Sequence, residues 1–299
     1  MLLATTRKGS PILTQAAVGH KAKTVVSPAT LRRVMRGDRP PTVDRALHSL
    51  STVGLVQPGS TRADAIDSVH RYLATTHKVE HVYKSALAQK RFLGPHSPAS
   101  ASILTEFSIG SSCIDTIIVN GRATGYEIKT ELDSPAKLNK QIIDYYKAFR
   151  YLYVVVDHSE NQRYLDILGD TSVGILALTK RGHLSETKLA TENCYHLDTE
   201  AMMKSLRKAE YSTIVSKWLG YKLKAYPVDY FRTHMHIASQ MGEQVFQKLY
   251  EDTLRQRTLK HPAIFDKMPC TALRHVYLQL NPTRIEYKRI DSWLMERID

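Results

Sequence analysis

The stretch Cys113-Ile114-Asp115-Thr116-Ile117-Ile118-Val119-Asn120-Gly121-Arg122-Ala123-Thr124-Gly125-Tyr126-Glu127-Ile128-Lys129-Thr130 decides how the chain is read. Apolar and polar residues alternate on both sides of Asn120-Gly121, and Asn-Gly between two such runs is a strong hairpin signal. Three short strands are expected, at about 103–109, 113–119 and 124–130, with Gly110-Ser111-Ser112 separating the first two. Glu106 lies on the first of them. Asp115 interrupts an apolar run, where a carboxylate is expensive to bury unless it is paired or binds a cation. Glu127 and Lys129 share one strand face, while Tyr126, Ile128 and Thr130 take the other.

Working outward, Ser134-Pro135 starts a helix expected to reach about Arg150, with Leu138, Ile142, Tyr145 and Phe149 as its core stripe. Residues 151–156 are β-branched or aromatic and read as a buried strand. A further strand is expected over 173–179, with an edge strand within 187–197. Upstream, Val79, Val82, Tyr83, Ala86, Leu87 and Phe92 are spaced for a helix over 78–93, closed by Gly94-Pro95-His96-Ser97-Pro98. The order is helix, three strands, helix, strand: an α/β arrangement with a mixed sheet.

Asp115 and Glu127, on adjacent strands, suit one hard cation, Mg²⁺ (or Mn²⁺), with the Ile128 carbonyl as a third oxygen. Lys129 reaches the same place, and Gln141 on the following helix can hold water or substrate. Phosphodiester hydrolysis asks for this set: a cation to polarise the phosphoryl oxygen, a group to orient or deprotonate water, and positive charge for the transition state.

Asp115, then Glu127-Ile128-Lys129, then a helix bearing Gln141, resembles the PD-(D/E)XK nuclease superfamily of restriction-endonuclease-like enzymes. The string Gly125-Tyr126-Glu127-Ile128-Lys129-Thr130, followed by Asp133, Leu138, Gln141 and Tyr145, is similar to a sub-family of small, largely uncharacterised bacterial proteins, as is Leu206-Arg207-Lys208-Ala209-Glu210. The resemblance covers roughly residues 78–215. It implies a restriction-endonuclease-like α-β-β-β-α-β core and a Mg²⁺-dependent deoxyribonuclease, with Glu106 as a further acid on the first strand. It implies a role in defence against foreign DNA, or in mobile-element or repair processing. Ile114 replaces the proline of the superfamily's name. An acid often found on the opening helix would here be Glu80. Asp133 and Glu131 follow the motif closely, and Asp133 also precedes the Ser134 cap at the positive end of a helix dipole. A catalytically idle DNA-binding or assembly module on the same fold, or a subunit activated by a protein partner, remains an alternative.

Residues 1–25 have weak pattern and read as a loosely packed start. Ser27-Pro28 opens a helix to about Arg36, stopped by Gly37. Residues 43–55 and 61–75 have helical spacing around the turn Gln57-Pro58-Gly59. This pair reads as a bundle segment more readily than as a helix-turn-helix, because the turn holds Pro as well as Gly and no recognition helix stands out. Helices are expected over 199–219, 228–241, 244–259, 269–280 and 282–298. The resulting division is a basic N-terminal helical region (1–77), the nuclease core (78–200) and a C-terminal helical region (201–299).

The net charge of +13 is unevenly spread. Residues 1–100 carry 15 Lys/Arg and 5 Asp/Glu (+10), residues 101–200 carry 10 and 14 (−4), and residues 201–299 carry 17 and 10 (+7). Basic flanks suit a polyanion such as DNA, and an acidic centre suits a metal-binding site. No stretch approaches the ~20 apolar residues of a membrane span. The start shows no secretory signal, although its basic residues also admit a transit peptide. Three widely spaced cysteines read as reduced thiols of a cytoplasmic protein. Cys113 reads as a packing residue. Tyr145, Tyr146, Tyr151 and Tyr153 read as core, with base stacking the alternative. His234 and His236 point in different directions on a helix, and His77 with His81 lacks a partner for zinc. A homodimer, or a protein partner on the C-terminal helices, fits a nuclease of this class.

Overall fold

The computed structural model describes residues 13–76, 79–224 and 226–298; His77 lies outside them, as do residues 1–12. The described chain begins with α1 (Gln15–Val25), α2 (Pro28–Arg36), α3 (Pro41–Thr52), α4 (Arg62–Thr76) and α5 (Glu80–Leu87), which runs on as a π-helical segment, Ala88–Leu93. Then come β1 (Ser102–Ile109), β2 (Ser112–Asn120), β3 (Arg122–Lys129), α6 (Leu138–Tyr146), β4 (Tyr151–Asp157), α7 (Asn161–Leu168), β5 (Gly174–Leu178) and β6 (Leu184–Lys188). The chain finishes with α8 (Thr199–Ser205), α9 (Lys208–Leu219), α10 (Tyr230–Ser239), α11 (Glu243–Arg255), α12 (Pro262–Phe265), α13 (Arg274–Leu280) and α14 (Arg284–Met295).

Two compact units result. One joins Met1–Gln89, Lys180–His183 and Leu259–Asp299; the other is Lys90–Thr179 with Leu184–Thr258. The expected boundaries at 77/78 and 200/201 lie elsewhere. In the structure the first and last segments of the chain share one unit, and α8 to α11 belong with the sheet.

The sheet-bearing unit is mixed α/β: an open six-stranded sheet, in the order β1-β2-β3-β4-β5-β6, with flanking helices. β1, β2 and β3 are antiparallel neighbours, β3, β4 and β5 run parallel, and β6 returns antiparallel to β5. The β2–β3 hairpin turns at Gly121, whose φ of 77° suits glycine. The edge strand is Leu184–Lys188, earlier than the expected 187–197. Its exposed Ser185, Glu186 and Thr187 give little apolar signal. The crossover helix α7 was not expected, for a similar reason: Tyr164 and Leu168 are its buried residues. The helix expected over 199–219 is broken at Leu206, where the backbone turns extended. The Glu210 carboxylate then accepts from Arg207 N–H at 2.7 Å to start α9.

Strand alternation slips on β1 and β2, and this slip sets the site. Ile114, Ile117 and Val119 all enter one apolar cluster, and so do Leu104, Phe107 and Ile109. Spacings of three then two mean that both strands change face together, at Asp115–Thr116 on β2 and Thr105–Glu106 on β1. Glu106 sits at the slip with φ 53°, a left-handed conformation that is rare for a residue with a side chain. On β3, Ala123 belongs to the same cluster, and a Cβ at Gly125 would lie 2.5 Å from Ile114 Cδ1. The core face of β3 therefore runs from Ala123 through Gly125 to Glu127 and Lys129, with α6 packed across β2 and β4. Asp144 of α6 ties the β1–β2 turn to this helix. Its Oδ2 accepts from Ser111 N (3.1 Å), Ser111 Oγ (2.9 Å) and Ser112 Oγ (2.8 Å), and Lys147 Nζ lies 2.7 Å from Oδ1. Burial acts to raise this carboxyl, but the Lys147, Ser112 and Ser111 hydrogen bonds outweigh it and hold the pKa at about 2.

The other unit is helical among its described residues. Of the expected loose start, residues 1–12 lie outside the described residues, and over Gln15–Val25 it is corrected by α1. Thr14 caps it, accepting from Ala17 N, and Val18, Ala22 and Val25 are buried. Its apolar residues are small and few, which is why the pattern was faint. Ser27 and Gly37 cap α2 as expected. His70, His81 and His275 cluster in this unit, with ring centroids 5.2 Å (His70–His81) and 4.3 Å (His81–His275) apart. Burial, then the like charges of His70 and Lys84, pushes His275 down to about 3, and burial with its two neighbours pushes His81 well below its usual value. Among the described residues no helix is long and apolar enough to cross a membrane.

Each of these histidines binds a proton more readily in the unfolded chain than in the folded one. The helical unit should therefore keep its full stability above about pH 6.5 and lose it progressively as pH falls towards 3. A series of thermal melts from pH 7.5 to 4.5 checks this; His275→Phe should flatten the dependence. For the sheet unit, Asp144→Asn should cost about 1–2 kcal/mol in urea unfolding near neutral pH, by weakening charge-assisted hydrogen bonds.

Candidate active site

The pairing of β2 with β3 ends at Thr116 opposite Tyr126. Beyond that point the Asp115 side chain replaces the ladder: its Oδ2 accepts from Ile128 N–H at 2.7 Å. β3 meanwhile continues beside β4 as far as Lys129 opposite Val156. The two strands thus part at Asp115, and the opening is lined by Asp115 on one side and the Glu127–Lys129 segment on the other.

Glu127 is 5% exposed and Lys129 is 8% exposed, so this ion pair is buried. Lys129 Nζ lies 2.9 Å from Glu127 Oε1 and donates to Gln141 Oε1 at 2.9 Å. Gln141 Nε2 donates to Glu127 Oε1 at 2.6 Å. The Tyr145 hydroxyl lies 2.8 Å from Glu127 Oε2 and 2.9 Å from the Cys113 carbonyl. Gln141 and Tyr145 stand one turn apart on α6, so both face β3. The Tyr145 hydroxyl is held strongly in its protonated form, first by burial and then by the negative charges of Glu127 and Asp115. It therefore acts as a fixed donor. Taking two charges out of water costs several kcal/mol per ion, and only close pairing with added hydrogen bonds offsets it. Here a lysine, a glutamine and a tyrosine supply those bonds to one carboxylate.

The structure brings Asp115, Glu127, Lys129, Gln141 and Tyr145 together. Glu106 is exposed at the β1 slip, in the same neighbourhood. The Cys113 thiol is raised first by burial, against a lowering Ser108 hydrogen bond, and then by the charges of Asp115, Glu106 and Glu127. Cys113 itself is exposed, which corrects its reading as a packing residue. It stands two positions before Asp115, and the face slip left it out of the core. Asp133 closes a turn instead: its Oδ2 accepts from Thr130 N (2.8 Å) and Thr130 Oγ1 (2.7 Å). Glu80 belongs to the helical unit, where it pairs with Lys84 at 2.6 Å. Tyr145 takes a larger part than its sequence position suggested. Tyr164 of α7, missed with its helix, has a buried hydroxyl that makes no hydrogen bond among the described residues. Of the other tyrosines, Tyr146 is buried, and Tyr153 stacks on Tyr126 with centroids 5.6 Å apart. His234 is buried and bonds the Tyr230 carbonyl, while His236 is exposed, so the two diverge as expected.

Among the described residues, no three His, Cys, Asp or Glu side chains gather as a metal-ligand cluster. The oxygens of Asp115, Glu127 and the Ile128 carbonyl are nonetheless hard donors of the kind that suit Mg²⁺. That ion often takes one or two carboxylates and completes its shell with water. The donor set fits in kind.

A six-stranded mixed sheet with a Glu–Lys–Gln–Tyr network at the parting of two strands defines a mixed α/β protein with a polar centre at that place. The profile of a protein family described as Bacteriophage P4 protein cII matches residues 74–268, and the chain belongs to that family. The match spans the whole sheet-bearing unit. No curated protein and no solved structure gives a significant match.

Removing one partner of the buried pair should be costly. Glu127→Ala, which strands the Lys129 ammonium, should lower the free energy of urea unfolding by about 3 kcal/mol. In Glu127→Ala/Lys129→Met the loss should be smaller than the sum of the single losses.

Proposed function

We propose that the sheet-bearing unit is a metal-dependent deoxyribonuclease with a restriction-endonuclease-like, PD-(D/E)XK core. The observation that carries this reading is the convergence of Asp115, Glu127, Lys129 and Gln141 where β2 and β3 part. Four polar side chains from two strands and a helix meet there, at a place where apolar packing would be more stable. Within this unit the order of three strands, helix and strand is in keeping with such a core, while the helix that precedes them in the chain, α5, belongs to the other unit.

In this reading the chain's own groups divide the work. Lys129 sets a positive charge beside Glu127, where charge on a phosphate would develop in the transition state. Gln141, bonded to both, fixes their separation and is placed to hold a water or a phosphate oxygen. Glu127 orients the attacking water, and the Tyr145 hydroxyl steadies the Glu127 carboxylate from behind. Asp115 is held in position by Ile128 N–H, so it needs no rearrangement to act. Asp115, Glu127 and the Ile128 carbonyl would hold Mg²⁺ (or Mn²⁺), which supplies Lewis-acid polarisation of a phosphoryl oxygen when bound. Glu106, exposed at the strand slip, is a further acid on the approach. The bacteriophage name of the family favours mobile-element processing or defence against foreign DNA as the setting, in the cytoplasm, with a homodimer cutting both strands.

A second reading rests on the satisfaction of Glu127. Lys129, Gln141 and Tyr145 engage both of its oxygens, which also suits a catalytically idle DNA-binding or assembly module, or a subunit that rearranges when a protein partner docks on the C-terminal helices.

Cleavage of plasmid, linear duplex and single-stranded DNA with Mg²⁺, Mn²⁺ or EDTA decides between them. Asp115→Asn, which keeps an acceptor for Ile128 N–H, and Lys129→Ala should each lower metal-dependent cutting by on the order of 10²-fold or more, in protein whose circular dichroism is unchanged. Cutting that survives both substitutions, or that ignores EDTA, refutes the nuclease reading. An inert wild type with intact DNA binding leaves the idle or partner-activated one.

A further inference from the structure

α1 and α2 lie before the family match, and the proposed nuclease chemistry makes no use of them. They are joined by Val26 and Ser27 alone. The turn is tightly held: Ser27 Oγ accepts from Thr30 N at 3.2 Å, Thr30 Oγ1 donates to the Thr24 carbonyl at 2.9 Å, and Val26 N donates to the Ala22 carbonyl at 3.4 Å. α1 packs on α3, and α2 packs on α13 and α14. The far end of α2 is fixed as well. Gly37 caps it in a left-handed conformation, and Arg289 Nη1 donates to the Met35 carbonyl at 2.7 Å.

The two faces of α2 differ sharply. Thr30, Leu31 and Val34 are buried. Ala29, Arg32, Arg33 and Arg36 are exposed at i, i+3, i+4 and i+7, so they form one stripe along the helix. Neither α1 nor α2 contains an acidic residue. Arg33 has a half-exposed partner in Asp38 at 3.6 Å, whereas Arg32 and Arg36 have no ion pair or hydrogen bond among the described residues. Three guanidiniums with no counter-charge on their own helix are costly to align against each other and favour a polyanion across from them. A helix with side chains is about as wide as the major groove of B-DNA, about 12 Å. Arginine is the side chain best matched to guanine there, and a small residue such as Ala29 suits a thymine methyl.

We propose that α1 and α2 form a helix-turn-helix in which α2 is the recognition helix, reading duplex DNA in the major groove through Arg32, Arg33 and Arg36. The two helices follow one another across a short locked turn, the connectivity of this motif, and each is anchored by its own packing, α1 on α3 and α2 on α13 and α14. The motif lies upstream of the helix pair around Gln57-Pro58-Gly59, the place where the sequence drew attention to such an arrangement. The site gives the chain a sequence preference that is separate from any cleavage and does not depend on the nuclease reading.

The test uses the full chain in EDTA, so that binding is read without cutting. A randomised duplex library is selected for binding, and the enriched duplex and a shuffled duplex of the same composition are then titrated by fluorescence anisotropy. A defined motif of a few base pairs should emerge. Arg32→Ala and Arg36→Ala should each weaken binding to the enriched duplex at least tenfold, with a much smaller effect on the shuffled one. Arg32→Lys, which keeps the charge and loses the bidentate fork, should also lose the preference. Failure of any motif to enrich overturns the proposal. So does an equal loss on both duplexes, which would reduce the stripe to a non-specific phosphate contact. Binding of an acidic polypeptide such as polyglutamate as tightly as the enriched duplex likewise overturns it.

Discussion

The carboxylate of Glu127 is surrounded by three donors, and the neighbouring elements are arranged so that it can be. Lys129 reaches it from two residues along the same strand face, and Gln141 and Tyr145 reach it from successive turns of one helix. A charge with so little exposure is tolerated because every approach to it is a hydrogen bond. α6 must lie close over β3 for this to happen. Asp144, further along α6, gives a second point of attachment by bonding the β1–β2 turn, and Gly110 leaves it room: a Cβ there would fall 2.6 Å from the Asp144 carboxylate.

The parting of β2 from β3 is the other constraint. A regular sheet would turn Asp115 into the apolar cluster that already holds Ile117 and Val119. The paired slip of β1 and β2 sends Ile114 there instead and frees Asp115 to take the Ile128 N–H. The slip is accommodated by the positive φ of Glu106 and by the absence of a side chain at Gly125, where Ile114 packs. Backbone irregularity at a polar centre is a pattern expected of sites shaped for chemistry, where unfavourable local conformations are retained because the surrounding structure holds them. Exposure of Cys113 follows from the same slip.

The two units contrast in what stabilises them. The sheet unit keeps ionised groups inside, each enclosed by donors or partners. The helical unit encloses His81 and His275, whose burial disfavours their charged forms, and pairs the buried Lys84 with Glu80, and Arg62 with Asp44 and Glu296. Family membership rests on residues 74–268, so the sheet and its polar centre are the part of the chain held in common with that family. The arginine stripe on α2 lies outside that stretch.

Local chemistry made much of the sheet legible. Asn120-Gly121 marked the hairpin, alternation placed Glu127 and Lys129 on one face, and Ser134-Pro135 marked the start of the helical segment that delivers Gln141. Ser27 and Gly37 bounded α2 for the same reason: caps and turns are decided by neighbours in sequence. What sequence spacing left undecided depended on distant partners. It gave no sign of the slip at Glu106 and Asp115, since strict alternation is the default for a strand and only packing against Ile114, Phe107 and Gly125 breaks it. It left β6 and α7 faint, because an edge strand and a short crossover helix bury too few residues to leave a period. It drew three regions in chain order where the contacts join the two ends of the chain into one unit. It placed Tyr145 in the core, where its ring is, and left open that the hydroxyl of the same side chain serves Glu127. Sequence fixed which residues can turn, cap and alternate; tertiary structure decided which charges share a buried space, because that depends on elements far apart in the chain enclosing them together.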